Sequence, residues 1–324
     1  MNKYIFIGGT GRSGSNILKA ILSQQPEAAS LPFEPRYILD PDGIIDFYNS
    51  LDSWSPYTID FKLRRLFGLL TSVGARGDLD LAAIEKYQPR QINPLDLTPP
   101  RYYQWELDKH IPGFLNRVEE LKSELVDFEF NNYWIGSESN KEKNISAFSK
   151  LFDKDVVGGK LSKFLLSNYD VFLASKKRSV LIDDSTFSPI HIVDLKRLMP
   201  SMKLIHIYRD PRDVIASLIN QRWAPSDLDQ VLLWYSAVMH RWNTVKQSVD
   251  KSCYVEIKFE DLVSDFDQTL SKISDGTDVD FNGLANILDP DKTNIGRWSS
   301  TFNKAEINKI NSALQSFLQQ FGYL

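Results

Sequence analysis

Two short stretches of this sequence have the residue types and spacing to hold phosphate. The first is Gly9-Thr10-Gly11-Arg12-Ser13-Gly14-Ser15, between a β-rich run at 3–7 and a helix-like run at 16–22. Glycines let backbone N–H groups approach an anion, and a helix N-terminus adds partial positive charge. A triphosphate loop, G-x-x-x-x-G-K-[S/T], would need lysine at 15 and serine or threonine at 16. Those positions hold Ser15 and Asn16, so the lysine for the β- and γ-phosphates and the hydroxyl for Mg²⁺ are both missing. What remains is a 5′-phosphate cradle with Arg12 inside it. A plain tight turn is the rival reading.

The second stretch is His206-Ile-Tyr-Arg-Asp-Pro-Arg-Asp-Val-Ile-Ala-Ser217. Arg209 falls where a strand should end, and Ser217 lies about two turns into the helix that follows. A guanidinium and a hydroxyl so placed can share one phosphate group. The competing reading is a surface network in which Arg209, Asp210, Arg212 and Asp213 pair among themselves.

The elements that must position these residues follow from hydrophobic patterning. Runs at 3–7, 179–182, 203–208 and 254–257 read as buried strands. Helical patterns lie at 16–22, at 213–220 behind Pro211, and at 262–273. Strands alternating with helices predict a mainly parallel sheet covered on both faces. At 227–245, Leu228, Val231, Leu232, Tyr235, Val238, Met239, Trp242 and Val245 recur at helical spacing, which marks a packing helix. Residues 48–175 lack strong strand signals and read as helical or irregular. Their aromatics Tyr102, Tyr103, Trp105, Tyr133 and Trp134 either line a ligand pocket or pack a core.

Composition narrows the class. The 324 residues carry 38 Lys+Arg and 42 Asp+Glu, a net charge of −4, which argues against a protein that coats nucleic acid or an anionic membrane. Apolar residues at 42 % are enough for a full core, so wholesale disorder is not expected. Cys253 is the only cysteine, so neither an intrachain disulfide nor a cysteine-based zinc site is expected. The scattered His110, His191, His206 and His240 form no metal-ligand spacing, and no metal is called for. No signal-peptide run or membrane-length apolar stretch is read, so the expected location is cytoplasmic. Nothing here bears on oligomeric state.

With both stretches in view, the sequence resembles sulfotransferases that use 3′-phosphoadenosine-5′-phosphosulfate (PAPS). The first loop resembles their 5′-phosphosulfate loop, and Arg209 through Ser217 resemble their 3′-phosphate motif. Phe259-Glu260-Asp261-Leu262 resembles the family's aromatic-Glu-Asp signature, and Gly296-Arg297-Trp298 its late Gly-x-Trp element. The four occur in family order, and the pattern looks closest to bacterial stand-alone members. The resemblance implies a P-loop-like, mainly parallel α/β sheet flanked by helices, in one domain over 1–324. Within it, 48–175 would form a mostly helical insertion capping the acceptor site.

The resemblance assigns Gly11, Arg12, Ser13, Gly14, Ser15 and Asn16 to the 5′ side of the nucleotide, and Arg209 and Ser217 to the 3′-phosphate. Phe259 matches an adenosine-contacting aromatic, although a core Phe fits as well. Lys292 and Arg297 belong to the late basic element, where Asp291 replaces the usual arginine. The cosubstrate would be PAPS and the product adenosine 3′,5′-bisphosphate. The partner would be a small-molecule, sugar or lipid acceptor carrying a hydroxyl or amine, with no nucleic acid.

The departures concern the base. Cytosolic members carry a base histidine in a Thr-His-Leu-Pro segment, and here that segment is Thr186-Phe187-Ser188-Pro189. Tyrosylprotein sulfotransferases use a glutamate after the first helix, and Phe33-Glu34-Pro35-Arg36 offers Glu34 at nearly the same distance. Their later lysine is matched by Asp184, so Arg12 would carry more of the leaving-group stabilisation. Glu34 is therefore the expected base and Arg12 the expected leaving-group cation. Asp183, Asp184 and His191 are the alternatives for the base. Rival readings are a nucleotide-binding module without turnover and, less favoured, a P-loop small-molecule kinase.

Overall fold

The computed structural model describes residues 2–75, 102, 105–131, 145–289 and 292–324. Tyr103, Tyr133, Trp134 and Asp291, named above, lie outside the described residues. The seven described strands are β1 (Lys3–Gly8), β2 (Ala28–Ala29), β3 (Phe128–Asn131), β4 (Ile145–Phe148), β5 (Val180–Asp183), β6 (Lys203–Tyr208) and β7 (Tyr254–Lys258). Two compact units divide the chain. One comprises 1–34, 179–196 and 201–324, and the other 35–178 and 197–200.

The first unit is built on a five-stranded sheet in the order β2-β5-β1-β6-β7, with every pairing parallel. Parallel strands covered on both faces need apolar side chains pointing both ways. Tyr4, Ile5, Phe6 and Ile7 of β1 are all buried, as are Leu204, Ile205, His206 and Ile207 of β6. Ile5, Ile7, Ile205, Ile207, Val255 and Ile257 point to one face. There they meet Leu18, Ile21 and Leu22 of helix Ser15–Leu22, and Leu262, Leu270 and Ile273. Burying each branched side chain contributes about 1.5–3 kcal/mol relative to exposure. On the opposite face the helix Leu228–Val245 brings Trp242 against His206, ring centroids 4.7 Å apart.

Sheet order fixes where a ligand can sit. The chain leaves β1 toward β2 on one side and leaves β6 toward β7 on the other. Neighbouring strands whose connections diverge leave a crevice beyond their carboxyl ends, the switch point at which α/β sheets bind ligands. The crevice between β1 and β6 is bordered by the two turns singled out in the sequence.

The second unit is mostly helical, with helices Ile44–Ser50, Pro56–Gly74, Phe114–Leu125 and Lys154–Lys176 the longest described. Ser55 caps the Pro56–Gly74 helix by accepting from Thr58 N, with proline at the first helical position. Tyr37, Phe114 and Phe164 interlock edge-to-face, with centroids 5.5–6.3 Å apart.

Two elements differ from the sequence reading. The stretch 48–175 contains an antiparallel ribbon, β3 with β4, where Phe128 stacks on Phe148 at 5.0 Å. Phe128-Glu129-Phe130 alternates with period two, but the run is too short to stand out. The helix expected over 262–273 is two helices, Phe259–Ser264 and Phe266–Thr277, broken at Asp265 with φ −129° and ψ 57°. The first starts directly at the end of β7, which puts Phe259 beneath the β1 loop.

Among the described residues no helix is long and apolar enough to cross a membrane. No group of three or more metal-ligating side chains occurs among them either.

Candidate active site

The β1 loop owes its shape to left-handed residues. Gly11 has φ +78°, Arg12 φ +60° and Gly14 φ +101°. A non-glycine in that region costs on the order of 1 kcal/mol and is held only where its surroundings insist on it. A Cβ on Gly14 would lie 2.4 Å from Cδ2 of Phe259, so the phenyl ring occupies the space that glycine leaves open. Gly14 then starts the helix Ser15–Leu22, whose first turn has no acidic residue to oppose an anion. Ser13 Oγ is buried and has no partner among the described residues. Ser15 is buried, and Asn16 is exposed.

Phe259 serves two residues at once. It is 1 % exposed, and the Arg209 guanidinium lies over its ring at 5.0 Å from the centroid. Gly14 and Arg209 therefore occupy the ring's surroundings, and its place is in the core below the site. The adjacent Glu260 accepts from Asp210 N at 3.0 Å and from the Tyr323 hydroxyl at 2.6 Å. The aromatic-Glu-Asp stretch thus props both the loop after β1 and the turn after β6.

In that turn, the four charged residues do pair among themselves. Arg212 binds Asp210 with Nη2 at 2.7 Å, and lies over Trp298 at 4.2 Å. Arg209 is nearly buried and donates from Nη2 to Asp213 at 3.3 Å and to the Thr293 and Asn294 carbonyls. Pairing does not exhaust it: Arg209 Nε is buried and has no partner among the described residues. Asp213, 1 % exposed, also accepts from Gly296 N at 2.8 Å and Trp298 N at 3.0 Å. The late Gly-x-Trp element is therefore anchored to the β6 turn through one carboxylate. Lys292 is exposed and pairs with Asp289 at 2.8 Å, and Arg297 is exposed.

The two turns meet. Arg12 Nε donates to Ser217 Oγ at 2.9 Å, joining the loop after β1 to the helix Pro211–Leu218 after β6. Each turn also carries one buried donor without a partner among the described residues, Ser13 Oγ in the first and Arg209 Nε in the second. A buried donor left unpaired costs about 1–3 kcal/mol, and an arriving anion relieves that cost. The donor set is cationic and hydroxylic throughout, which is the chemistry of a phosphate site.

Glu34 is brought to the same loop. Its Oε1 accepts from Thr186 Oγ1 at 2.7 Å, and Thr186 in turn receives Gly9 N on its carbonyl at 2.8 Å. The other base candidates are differently placed. Asp184 is buried and ion-paired with Lys19 at 2.7 Å. Asp183 accepts from both the amide and the hydroxyl of Ser185. Burial lowers the pKa of His191 below its ordinary value, with Arg241 adding to it and Asp194 opposing. Phe187, at the histidine position of the resembling segment, stands edge-on to Trp234 at 5.9 Å.

Behind the site, His206 Nδ1 lies 3.2 Å from Glu256, which also accepts from Trp242 Nε1 at 3.0 Å. Burial alone would raise the Glu256 pKa. The bonds from His206 and Trp242 and the charge of Lys246 outweigh it and hold the group at about 2. Burial lowers the His206 pKa, as expected for a histidine inside a strand.

Sequence reasoning missed Asp213 as an anchor, Tyr323 as a partner of Glu260, and Trp223, which lies over Gly11. Nothing local in the sequence marks these contacts, because each joins residues far apart in the chain.

A parallel sheet flanked by helices, with strand-to-helix turns after β1 and β6 bordering a switch-point crevice, defines a P-loop-like α/β protein. The profile of a group described as "Sulfotransferase family" matches residues 103–283, more than half of the chain, and the chain belongs to that family. No curated protein sequence matches. Similar solved structures include the sulfotransferase domain from the Synechococcus PCC 7002 olefin synthase, at 16 % identity over 97 % of this chain and 94 % of that one, TM-score 0.43. The sulfotransferase domain from the curacin biosynthetic pathway is 15 % identical over 97 % of this chain and 98 % of that one, TM-score 0.43. Sulfotransferase STF9 from Mycobacterium avium is 12 % identical over 98 % of this chain and 76 % of that one, TM-score 0.43.

Proposed function

We propose that this sulfotransferase uses PAPS as donor and a hydroxyl of a small molecule as acceptor. The observation that carries this reading is the pair of strand-to-helix turns on neighbouring strands, bridged by Arg12 and Ser217, with Glu34 held at the same loop. PAPS supplies the sulfuryl group and carries both a 5′-phosphosulfate and a 3′-phosphate, one for each turn.

The chain's own work is positioning and electrostatics, as in phosphoryl transfer. Arg209, Ser217 and the unpaired Arg209 Nε hold the 3′-phosphate. The backbone of Gly11 to Asn16 and Ser13 Oγ hold the 5′ side. Glu34 takes the proton from the acceptor hydroxyl as its oxygen forms the new O–S bond. The S–O bond to the phosphate breaks, and Arg12 balances the charge that grows on that oxygen, a role its fixed cationic fork suits. The products are the sulfate ester, adenosine 3′,5′-bisphosphate and one proton.

Calorimetric titration without Mg²⁺ tests the donor. Adenosine 3′,5′-bisphosphate should bind well ahead of 5′-AMP. Equal binding, or none, overturns the 3′-phosphate assignment and reopens the kinase or non-catalytic alternatives.

A further inference from the structure

The helix Gln315–Gln320 ends in a turn that aims one side chain back at the sheet. Gly322 has φ +71°, its N–H donates to the Gln319 carbonyl at 3.2 Å, and Tyr323 N–H donates to the Leu318 carbonyl at 2.8 Å. Paired bonds of this kind around a left-handed glycine stop a helix and fix the direction of the next residue. Here that residue is Tyr323. Phe321, two residues before it, stacks on Tyr208, the last residue of β6, at 4.5 Å and 22°. The Tyr323 ring lies under Lys258 Nζ at 4.1 Å, and its hydroxyl donates to Glu260 Oε2 at 2.6 Å. The other carboxylate oxygen, Oε1, accepts from Asp210 N–H at 3.0 Å. Among the described residues Glu260 forms no ion pair, so two neutral donors hold this half-buried carboxylate.

We propose that Tyr323 is a positioning residue for the 3′-phosphate: acting through Glu260, it sets the backbone from which Arg209 reaches that group. This rests on the donor reading given above. Asp210 has two roles in the turn. Its side chain caps the helix Pro211–Leu218 by accepting from Arg212 N, and pairs with the Arg212 guanidinium. Its own N–H lies ahead of the first helical turn and donates to Glu260. A peptide unit is planar, so fixing that N–H also fixes the Arg209 carbonyl joined to it. Phe259, the neighbour of Glu260, lies beneath the Arg209 guanidinium at 5.0 Å. Residues 259 and 260 thus hold Arg209 at its head and at its backbone, and Tyr323 holds residue 260. Burial, and next the Glu260 charge, raise the Tyr323 pKa above its ordinary value, so the hydroxyl keeps its proton and acts as a donor. Packing alone does not need that hydroxyl. The stack of Phe321 on Tyr208 and the contact of Lys258 with the Tyr323 ring use the rings only, so the two roles separate in Tyr323→Phe.

The test is calorimetry of the full chain with adenosine 3′,5′-bisphosphate and with 5′-AMP. Tyr323→Phe keeps the ring and removes one donor. Its bisphosphate affinity should fall about threefold to tenfold, with 5′-AMP affinity unchanged within about twofold. Glu260→Ala should lose at least as much, and adding Tyr323→Phe to it should weaken the bisphosphate no further, because the hydroxyl acts through Glu260. Should Glu260→Ala not fold, Glu260→Gln takes its place in the same cycle. Losses that fall equally on both nucleotides, or that add in the double variant, overturn the proposal and leave Tyr323 a packing residue. A wild-type preference for the bisphosphate that Tyr323→Phe leaves untouched overturns the proposal alone. Wild type that binds the two nucleotides alike removes the donor reading and the proposal together.

Discussion

Arg12 and Ser217 lie 205 residues apart in the chain, and the guanidinium Nε of one donates to the hydroxyl of the other at 2.9 Å. Their junction makes one site of two turns that the sequence presents separately. In the proposed reaction Arg12 stands between the two turns. A transition-state role and a binding role separate kinetically. Arg12→Ala should lower kcat with little change in the bisphosphate Kd, and Ser217→Ala should weaken the bisphosphate with little change in kcat. Steady-state kinetics beside calorimetry reads both. An Arg12→Ala effect confined to KM would make Arg12 a nucleotide ligand only.

Arg209 carries a different expectation. Its pairings with Asp213 and two backbone carbonyls fix the guanidinium, while Nε has no partner among the described residues. Arg209→Ala should weaken adenosine 3′,5′-bisphosphate by about tenfold to a hundredfold, while 5′-AMP binding hardly changes. Competition between the two nucleotides measures it, and retained discrimination contradicts the assignment.

Glu34→Gln keeps an acceptor for the Thr186 hydroxyl but removes the base. Turnover should fall about 10²- to 10⁴-fold with nucleotide affinity intact. Full activity in that variant would transfer the role to another group.

Gly14→Ala meets two obstacles, φ +101° and a ring carbon 2.4 Å from the new methyl. Overpacking of this kind costs about 1–3 kcal/mol, so the thermal midpoint should drop by several degrees. Phe259→Leu combined with Gly14→Ala should recover part of the loss. If the single variant melts with wild type, the loop is looser than the geometry describes.

Glu256 gives the pH dependence. Its folded pKa of about 2 lies below the ordinary 4.5, so its contribution is present above about pH 4.5 and is lost as pH falls toward 2. Glu256→Gln should therefore destabilise the protein at neutral pH by on the order of 2 kcal/mol, since the carboxylate is partly exposed. The difference between variant and wild type should shrink steadily below pH 4.5. Urea unfolding across that range checks it, and a pH-independent difference would point to lost packing.

The sheet and both turns were legible because their signals are local. Alternation and apolar runs marked β1, β5, β6 and β7, while glycine spacing and the Arg209-to-Ser217 interval marked the turns. The short β2 and the β3–β4 ribbon were not legible, since two to four residues carry too little periodicity. At the site, the sequence supplied the residues but not their partners. That Asp213 reaches Gly296 and Trp298, or that Tyr323 reaches Glu260, follows only from packing across the fold. Of the aromatics read within 48–175, Tyr102 and Trp105 pack edge-on at 5.0 Å, and Tyr103, Tyr133 and Trp134 lie outside the described residues.

Asp213 has a consequence for anyone recombining this chain with a relative. Its carboxylate binds Arg209, Gly296 N and Trp298 N together, so the segment at 293–298 and the turn after β6 form one inseparable cassette. A chimera that swaps either piece alone strands a buried carboxylate or two amides. A crossover point is tolerable only where it carries both halves from the same parent.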